Sequence, residues 1–227
     1  MGVQGAGKGV QAQFIKEQYG IPHVSTGDLF RAMRTREDEL AKRVQAIMAS
    51  GALVDDDTTN EVLRDRLEQP DAANGVILDG YPRNDQQAAW LENYLASRKA
   101  KINAVLLLKL DLYVAFKRAF GRVTSKNGDS YNIFYNNDGL DVKYVDDPSG
   151  QFPPLVEAVL RNSGEKLTRR PDDANAAAII KRIDTYLATT QPLIDYYGKK
   201  RLMVEINADQ AIPEVSKAIK EAIDRAK

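Results

Sequence analysis

The chain opens on Gly2-Val3-Gln4-Gly5-Ala6-Gly7-Lys8-Gly9, a G-x-x-x-x-G-K pattern that runs straight into a helical pattern in which Val10, Phe14 and Ile15 share a face. Such a loop turns successive backbone N–H groups inward around an oxyanion, and the helix start behind it adds partial positive charge. Side chains would block that approach, which is why glycines recur; Lys8 can then reach the outer phosphates of a nucleotide. A loop of this kind follows a buried strand, yet only Met1 precedes Gly2. If the absent strand carries five buried aliphatic residues at about 1.5–3 kcal/mol each, losing it costs on the order of 8–15 kcal/mol. That rivals the whole stability of a domain, about 5–15 kcal/mol. The expectation is therefore that the first strand is missing, that Met1 lies near its end, and that the native chain starts several residues upstream.

The rest of the sequence alternates strand and helix. Short apolar runs at 23–25, 75–78, 103–110 and 202–206 read as strands, and Val76-Ile77-Leu78 and Val105 to Leu108 are continuous rather than alternating. Continuous runs suit parallel strands buried on both faces. Between them, Val62, Leu63 and Leu67 share a helical face after Thr58-x-x-Glu61, which reads as a capping box. A long helix from near Asp172 to Tyr197 turns Ile179, Ile180, Ile183 and Leu187 inward, and a last one, opened by Pro213, stripes Val215, Ala218, Ile219, Ala222 and Ile223. The predicted fold class is α/β, a parallel sheet flanked by helices. From Arg122 to about Arg169 the chain is rich in Asn, Asp, Gly and Tyr and too long for an ordinary connection. It reads as a lid or small inserted domain, with a disordered loop as the alternative; Tyr131, Phe134, Tyr135, Tyr144 and Phe152 supply apolar mass that disordered segments usually lack.

Lys plus Arg equals Asp plus Glu at 32 each, so no global field points to nucleic acid or to a membrane surface, and phosphate-binding charge has to be concentrated locally. The absence of cysteine excludes disulfides, thiolate zinc and a cysteine nucleophile. No apolar run reaches about 18 residues and no signal peptide opens the chain, which fits a cytoplasmic protein. His23, the single histidine, follows Pro22 in an extended run and reads as structural.

Taken together, several segments resemble the adenylate kinase family of nucleoside monophosphate kinases, P-loop proteins. Gly5-Ala6-Gly7-Lys8-Gly9-Val10-Gln11-Ala12 is similar to its phosphate loop, although Gly9 and Val10 stand where a hydroxyl residue commonly helps hold Mg²⁺. Ser25-Thr26-Gly27-Asp28-Leu29-Phe30-Arg31 resembles its AMP-site opening, and Leu53-Val54-Asp55 its adenine-side loop. Asp79-Gly80-Tyr81-Pro82-Arg83, with Gln87 four residues on, resembles the central catalytic segment. Arg118-x-x-Gly121-Arg122 and Leu167-Thr168-Arg169-Arg170-Pro171-Asp172-Asp173 resemble the two lid borders, and Arg182 fits the arginine of the helix that follows. The matches keep family order over nearly the whole chain. Only the lid interior departs, around Tyr131-Asn132 and Asn136-Asn137; relatives with four cysteines around zinc there have no counterpart here.

The resemblance implies reversible transfer of a phosphoryl group, ATP + AMP = 2 ADP, direct and in line, with Mg²⁺ and no zinc. It implies a core of 1–24, 55–121 and 171–227, an AMP-binding insert at 25–54 and a lid at 122–170, both closing to keep water from acting as acceptor. Lys8, Arg83, Arg118, Arg122, Arg170 and Arg182 would be catalytic, because arginine binds two phosphate oxygens at once and stays charged. ATP would meet Gly5, Ala6, Gly7, Lys8, Gly9, Val10, Arg122, Tyr131 and Gln210. AMP would meet Thr26, Arg31, Ala52, Leu53, Val54, Gly80, Tyr81, Pro82, Arg83 and Gln87, with Arg170 and Arg182 on the reacting phosphates. Asp79 would orient the waters of Mg²⁺. Asp172 and Asp173 are open between capping the next helix, orienting the lid arginines and touching metal. Thr26 is open between AMP choice and capping the next helix. The family default is a monomer. Two other readings are a kinase of another nucleotide (UMP, CMP, or AMP with GTP as donor) and a non-catalytic nucleotide-binding module, which the truncated front end would favour.

Overall fold

A computed structural model of the chain describes residues 1–50, 54–135, 137–145, 155–169, 173 and 175–226. In chain order the elements are α1 (Lys8–Tyr19), β1 (His23–Ser25), α2 (Thr26–Met33), α3 (Glu39–Ala49), α4 (Asp56–Leu67), β2 (Ile77–Asp79), α5 (Asp85–Ser97) and β3 (Val105–Lys109). There follow α6 (Leu112–Phe120), β4 (Arg122–Thr124), β5 (Ser130–Asn132), β6 (Leu140–Val145), β7 (Leu155–Leu160), α7 (Ala176–Lys199), β8 (Met203–Asn207) and α8 (Ile212–Ala226). They form two compact units, one of Met1, Gly7–Leu108 and Thr189–Lys227, the other of Gly2–Ala6 and Lys109–Ala188.

The first unit carries the α/β layering that the apolar runs predict. Strands β1 and β2 pair in parallel with His23 opposite Ile77 and Ser25 opposite Asp79, and β3 pairs with β8. Helix α1 packs on β1, β2 and α8, and α8 packs on β8. Strand β2 ends one residue later than its apolar run suggests, which brings Asp79 into the ladder beside Ser25. The core divides by neighbourhood. Val24, Leu63, Tyr81 and Leu91 form one cluster, and Met33, Ala41, Val44 and Val62 another under α2, α3 and α4.

Of the strand expected ahead of the glycine loop, Met1 takes the place. Its nitrogen donates to the Leu106 carbonyl and its carbonyl accepts from Leu108 N–H at 3.0 Å, the pattern of a parallel pair opposite Leu107. The Met1 side chain packs against the cluster of Ala88, Leu193 and Tyr197.

Three sequence expectations are corrected. Helix α4 starts earlier than Thr58, because Asp55 is the cap: its carboxylate accepts from Thr58 N–H at 2.8 Å and from the Thr58 hydroxyl at 2.9 Å. Along α7 the buried stripe runs through Ile179, Ile183, Thr190, Leu193 and Tyr197, leaving Ile180 and Leu187 about half exposed. Val10, expected on the inner face of α1, is also half exposed; Gln11, Ala12 and Ile15 are the buried residues. The last helix follows expectation, with Val215, Ile219 and Ala222 buried.

In the second unit the described residues after Arg122 form a pair of antiparallel ribbons, not a disordered loop. Strands β4 and β5 pair with Arg122 opposite Asn132, and β6 and β7 pair from Leu140–Leu160 to Val145–Leu155. Bridges Thr124–Thr168 and Val159–Lys166 tie the returning chain to both. Its interior is aliphatic, built from Val123, Ile133, Leu140, Val156, Ala158 and Leu167, whereas Phe134, Tyr135 and Tyr144 are exposed. Phe152 lies outside the described residues.

For a polypeptide that starts at Met1, burial is the main cause that lowers the α-amino pKa from 8.0 to about 6, with Lys8 adding repulsion and Asp79 opposing. Between those values the unfolded chain holds the proton and the folded chain does not, so folding stability rises with pH across that window. Fully developed, the gain is about 2–3 kcal/mol. Urea unfolding of the free and N-terminally acetylated chains at pH 6, 7 and 8 checks it, and the slope should vanish on acetylation.

Candidate functional site

The glycine loop is shaped by contact as much as by phosphate logic. Gly5 has φ +85°, and a Cβ there would lie 2.7 Å from the Ala115 carbonyl oxygen and 3.1 Å from Arg118 Cβ. Loop and α6 therefore meet backbone to backbone, which only glycine allows. Gln4 is an anchor that the sequence reading missed: it is buried and its amide donates to the Ile179 carbonyl at 3.0 Å. Gly7, left-handed at φ 82°, caps α1 without a side chain, and its carbonyl accepts from Gln11 N–H. Ala6 is buried, Gly9 exposed, and Lys8 half-buried at the first position of α1. The electrostatic effects on the Met1 nitrogen put Lys8 and Asp79 in one neighbourhood.

In the same unit, β1 and β2 deliver the second group. Ser25 caps α2 by accepting from Asp28 N–H at 3.4 Å, so the capping role that was open for Thr26 belongs to its neighbour. The Thr26 hydroxyl instead donates to the Gly80 carbonyl at 3.1 Å, and Arg83 Nη2 reaches it at 3.5 Å. Arg83 Nε donates to that same carbonyl at 2.9 Å. Gly80 has φ +77°, and a Cβ would stand 2.8 Å from the Thr26 hydroxyl. Tyr81 and Pro82 follow through a cis peptide bond. The Tyr81 hydroxyl donates to the Asn60 side chain, with the Gln87 carbonyl 3.1 Å away, and burial pushes its pKa well up.

Gln87 is buried and engaged at both ends. Its Oε1 accepts from Arg83 N–H at 2.8 Å, and its Nε2 donates to Asp56 at 2.6 Å. Arg31 is exposed and pairs with Asp28, whose carboxyl its hydrogen bond holds below the usual carboxylate range. Val54 packs on the cluster around Met33, while Ala52 and Leu53 lie outside the described residues. Gln210 is exposed in the turn after β8, where Asn207 accepts from Asp209 N–H. His23, read as structural, sets Nε2 3.3 Å from Asp79 Oδ2. No pattern in the sequence announces that pairing, which depends on strand register.

The second unit holds the remaining arginines. Asp173 is fully buried and shared: Arg122 Nε donates to one oxygen at 2.9 Å and Arg182 Nη1 to the other at 2.8 Å. Asn175, not an aspartate, accepts from Ala178 N–H at the start of α7. Of the roles open for Asp173, arginine orientation is the one its geometry displays; Asp172 and Arg170 lie outside the described residues. Arg118 lies over the Tyr135 ring with its Cζ 5.6 Å from the centroid. Tyr131 sits half-buried on β5 opposite Val123. Asn132, part of the loose lid interior, donates to the Arg118 carbonyl at 2.9 Å and accepts from Phe134 N–H.

Among the described residues no group of three or more His, Cys, Asp or Glu could hold a metal by itself, and no helix is long and apolar enough to cross a membrane. A lone carboxylate such as Asp79 suits a cation that arrives on phosphates and keeps most of its waters.

Comparison with known proteins gives one family. The family described as adenylate kinase matches residues 1–202. A Streptomyces avermitilis adenylate kinase is 40% identical over 225 residues, covering 99% of this chain and 96% of its own. One from Listeria monocytogenes is 38% identical over 216 residues, covering 95% and 93%. One from Thermoanaerobacter pseudethanolicus is 37% identical over 229 residues, covering 100% and 98%.

Replacing Asp173 by Ala should leave two guanidinium groups without their shared anion. Both are partly exposed, at 20% and 38%, so water recovers some of the loss. The expected cost is about 2–3 kcal/mol, short of the ~3–5 kcal/mol for a fully buried partner. Urea midpoints of D173A and wild type measure it.

Proposed function

The chain belongs to the adenylate kinase family, and from that premise we propose that it transfers a phosphoryl group reversibly between ATP and AMP, giving two ADP, by direct in-line displacement. The observation that supports the acceptor most is the knot of Thr26, Gly80 and Arg83 with Gln87 bonded behind it. A guanidinium and an amide tied to one short turn are the groups that a nucleoside monophosphate needs, one for phosphate and one for base.

Each residue has a physical task. Lys8 and the loop N–H groups of Gly5, Ala6, Gly7, Gly9 and Val10 hold the donor phosphates. Arg31 and Arg83 hold the acceptor phosphate, and Thr26, 52–54, Gly80, Tyr81, Pro82 and Gln87 its nucleoside. Arg122, Arg170 and Arg182 neutralise charge that spreads over the transferring group, and Arg118, Tyr131 and Gln210 face the donor. Transfer between two polyanions requires positioning and charge stabilisation more than covalent chemistry, so no phosphoenzyme is needed. Asp79 would hold waters of a nucleotide-bound Mg²⁺. Bound there, Mg²⁺ supplies charge neutralisation on the phosphates. Segments 25–54 and 122–170 act to keep water from competing as acceptor. The enzyme works as a cytoplasmic monomer.

ADP formation by the 227-residue chain from Mg·ATP with AMP, UMP, CMP or GMP tests the proposal. AMP-selective turnover is expected, and Arg83→Lys should lower kcat/KM for AMP by about 10²–10³ through loss of the bidentate fork. Selective turnover of UMP or CMP would reassign the acceptor. Tight binding of a bisubstrate dinucleotide without any turnover would make the chain a binding module.

A further inference from the structure

Asp56 is in none of the site motifs, yet it lies beneath them. It is the first residue of α4 and accepts two amide donors, Gln87 Nε2 at 2.6 Å on one oxygen and Asn84 Nδ2 at 2.8 Å on the other. It does not cap α4; Asp55 does that. Asn84 in turn caps α5 by accepting from Gln87 N–H at 2.8 Å. Asp56 thus joins the start of α4 to the start of α5, at the point where Gln87 leaves the chain.

A glutamine amide has two orientations half a turn apart that exchange donor and acceptor. An ionised carboxylate only accepts, so at 2.6 Å it selects the Nε2 end of Gln87. The Arg83 backbone N–H only donates, so at 2.8 Å it selects the Oε1 end. Both restraints demand the same orientation. What remains on Gln87 is one N–H and one lone pair, side by side in fixed order. Adenine offers an acceptor next to a donor, whereas guanine shows two acceptors, O6 and N7, on the corresponding edge.

We propose that Asp56 is a positioning residue for the acceptor nucleotide: it fixes the Gln87 amide directly and the Arg83 main chain through the Gln87 Oε1 bond. This rests on the assignment of Gln87 and Arg83 to AMP. An asparagine at 56 has one acceptor oxygen for two donors, and its own NH₂ faces an NH₂. Relief comes by turning the Gln87 amide, which sets its NH₂ against the Arg83 N–H and breaks the tie.

Asp56→Asn keeps the size of the side chain and the Asp55 cap, so the fold is retained, and thermal unfolding verifies that. Steady-state kinetics in both substrates should show the AMP KM raised roughly tenfold, the ATP KM within about twofold, and the preference for AMP over GMP reduced. A general structural role would move both KM values together. In a Gln87→Ala background D56N should add less than about twofold to the AMP KM, because its route is gone. An unchanged AMP KM in D56N, equal rises for both substrates, or the same increment with and without Gln87 overturns the inference alone. A wild type that neither binds nor converts AMP overturns the functional reading and this inference with it.

Discussion

Four of the arginines proposed for phosphate, Arg31, Arg83, Arg122 and Arg182, each rest on an internal acceptor. Net charge is zero, so no surplus of positive field does the work. Arg122 and Arg182 share the buried Asp173, Arg83 leans on the Gly80 carbonyl, and Arg31 pairs with Asp28 at the surface. The three arrangements differ in strength for a physical reason. Asp173 is out of water and cannot exchange its partners for solvent, whereas the Arg31–Asp28 pair is about two-thirds exposed and contributes little to stability. An arginine on a weak internal partner is released cheaply to an incoming anion. One on a buried carboxylate keeps its orientation.

Close backbone contact is the second constraint. At Gly5 the loop touches the α6 backbone, and at Gly80 the turn after β2 touches the Thr26 hydroxyl. Both are left-handed, so each glycine is required twice, by conformation and by space. The Gly80 contact lets one carbonyl accept from both Thr26 and Arg83, so both side chains are held on main chain, which has no rotamer freedom to lose.

Much of the first unit was legible because burial on both faces writes itself as continuous apolar runs. Val76-Ile77-Leu78 and Val105 to Leu108 gave β2 and β3 nearly in place, and the last helix showed its stripe. The family resemblance, rather than burial, singled out Lys8, Arg31, Arg83, Arg122 and Arg182 as candidates. Boundaries were less visible where two residues could cap: Asp55 and Thr58 both suit a helix start, and the structure uses the aspartate with the threonine hydroxyl as its donor. Helix phase failed at Ile180 and Leu187, because Thr190 continues the buried stripe and hydrophobicity does not mark it. His23 with Asp79 and Asp56 with Gln87 were invisible, since 56 and 31 residues separate the partners and only strand register and helix docking join them.

The hidden contacts share a pattern. Two residues that motifs single out, Asp79 and Gln87, are each held by a neighbour that no motif names: His23 and Asp56. A motif records groups that meet a ligand; the groups that aim them are set by where the chain returns. Asp56 carries the most of this burden, for a single carboxylate sets the amide of Gln87, and that amide sets the N–H of Arg83. On the proposed assignment, the orientation of two groups for the acceptor nucleotide thus follows from one carboxylate outside every motif.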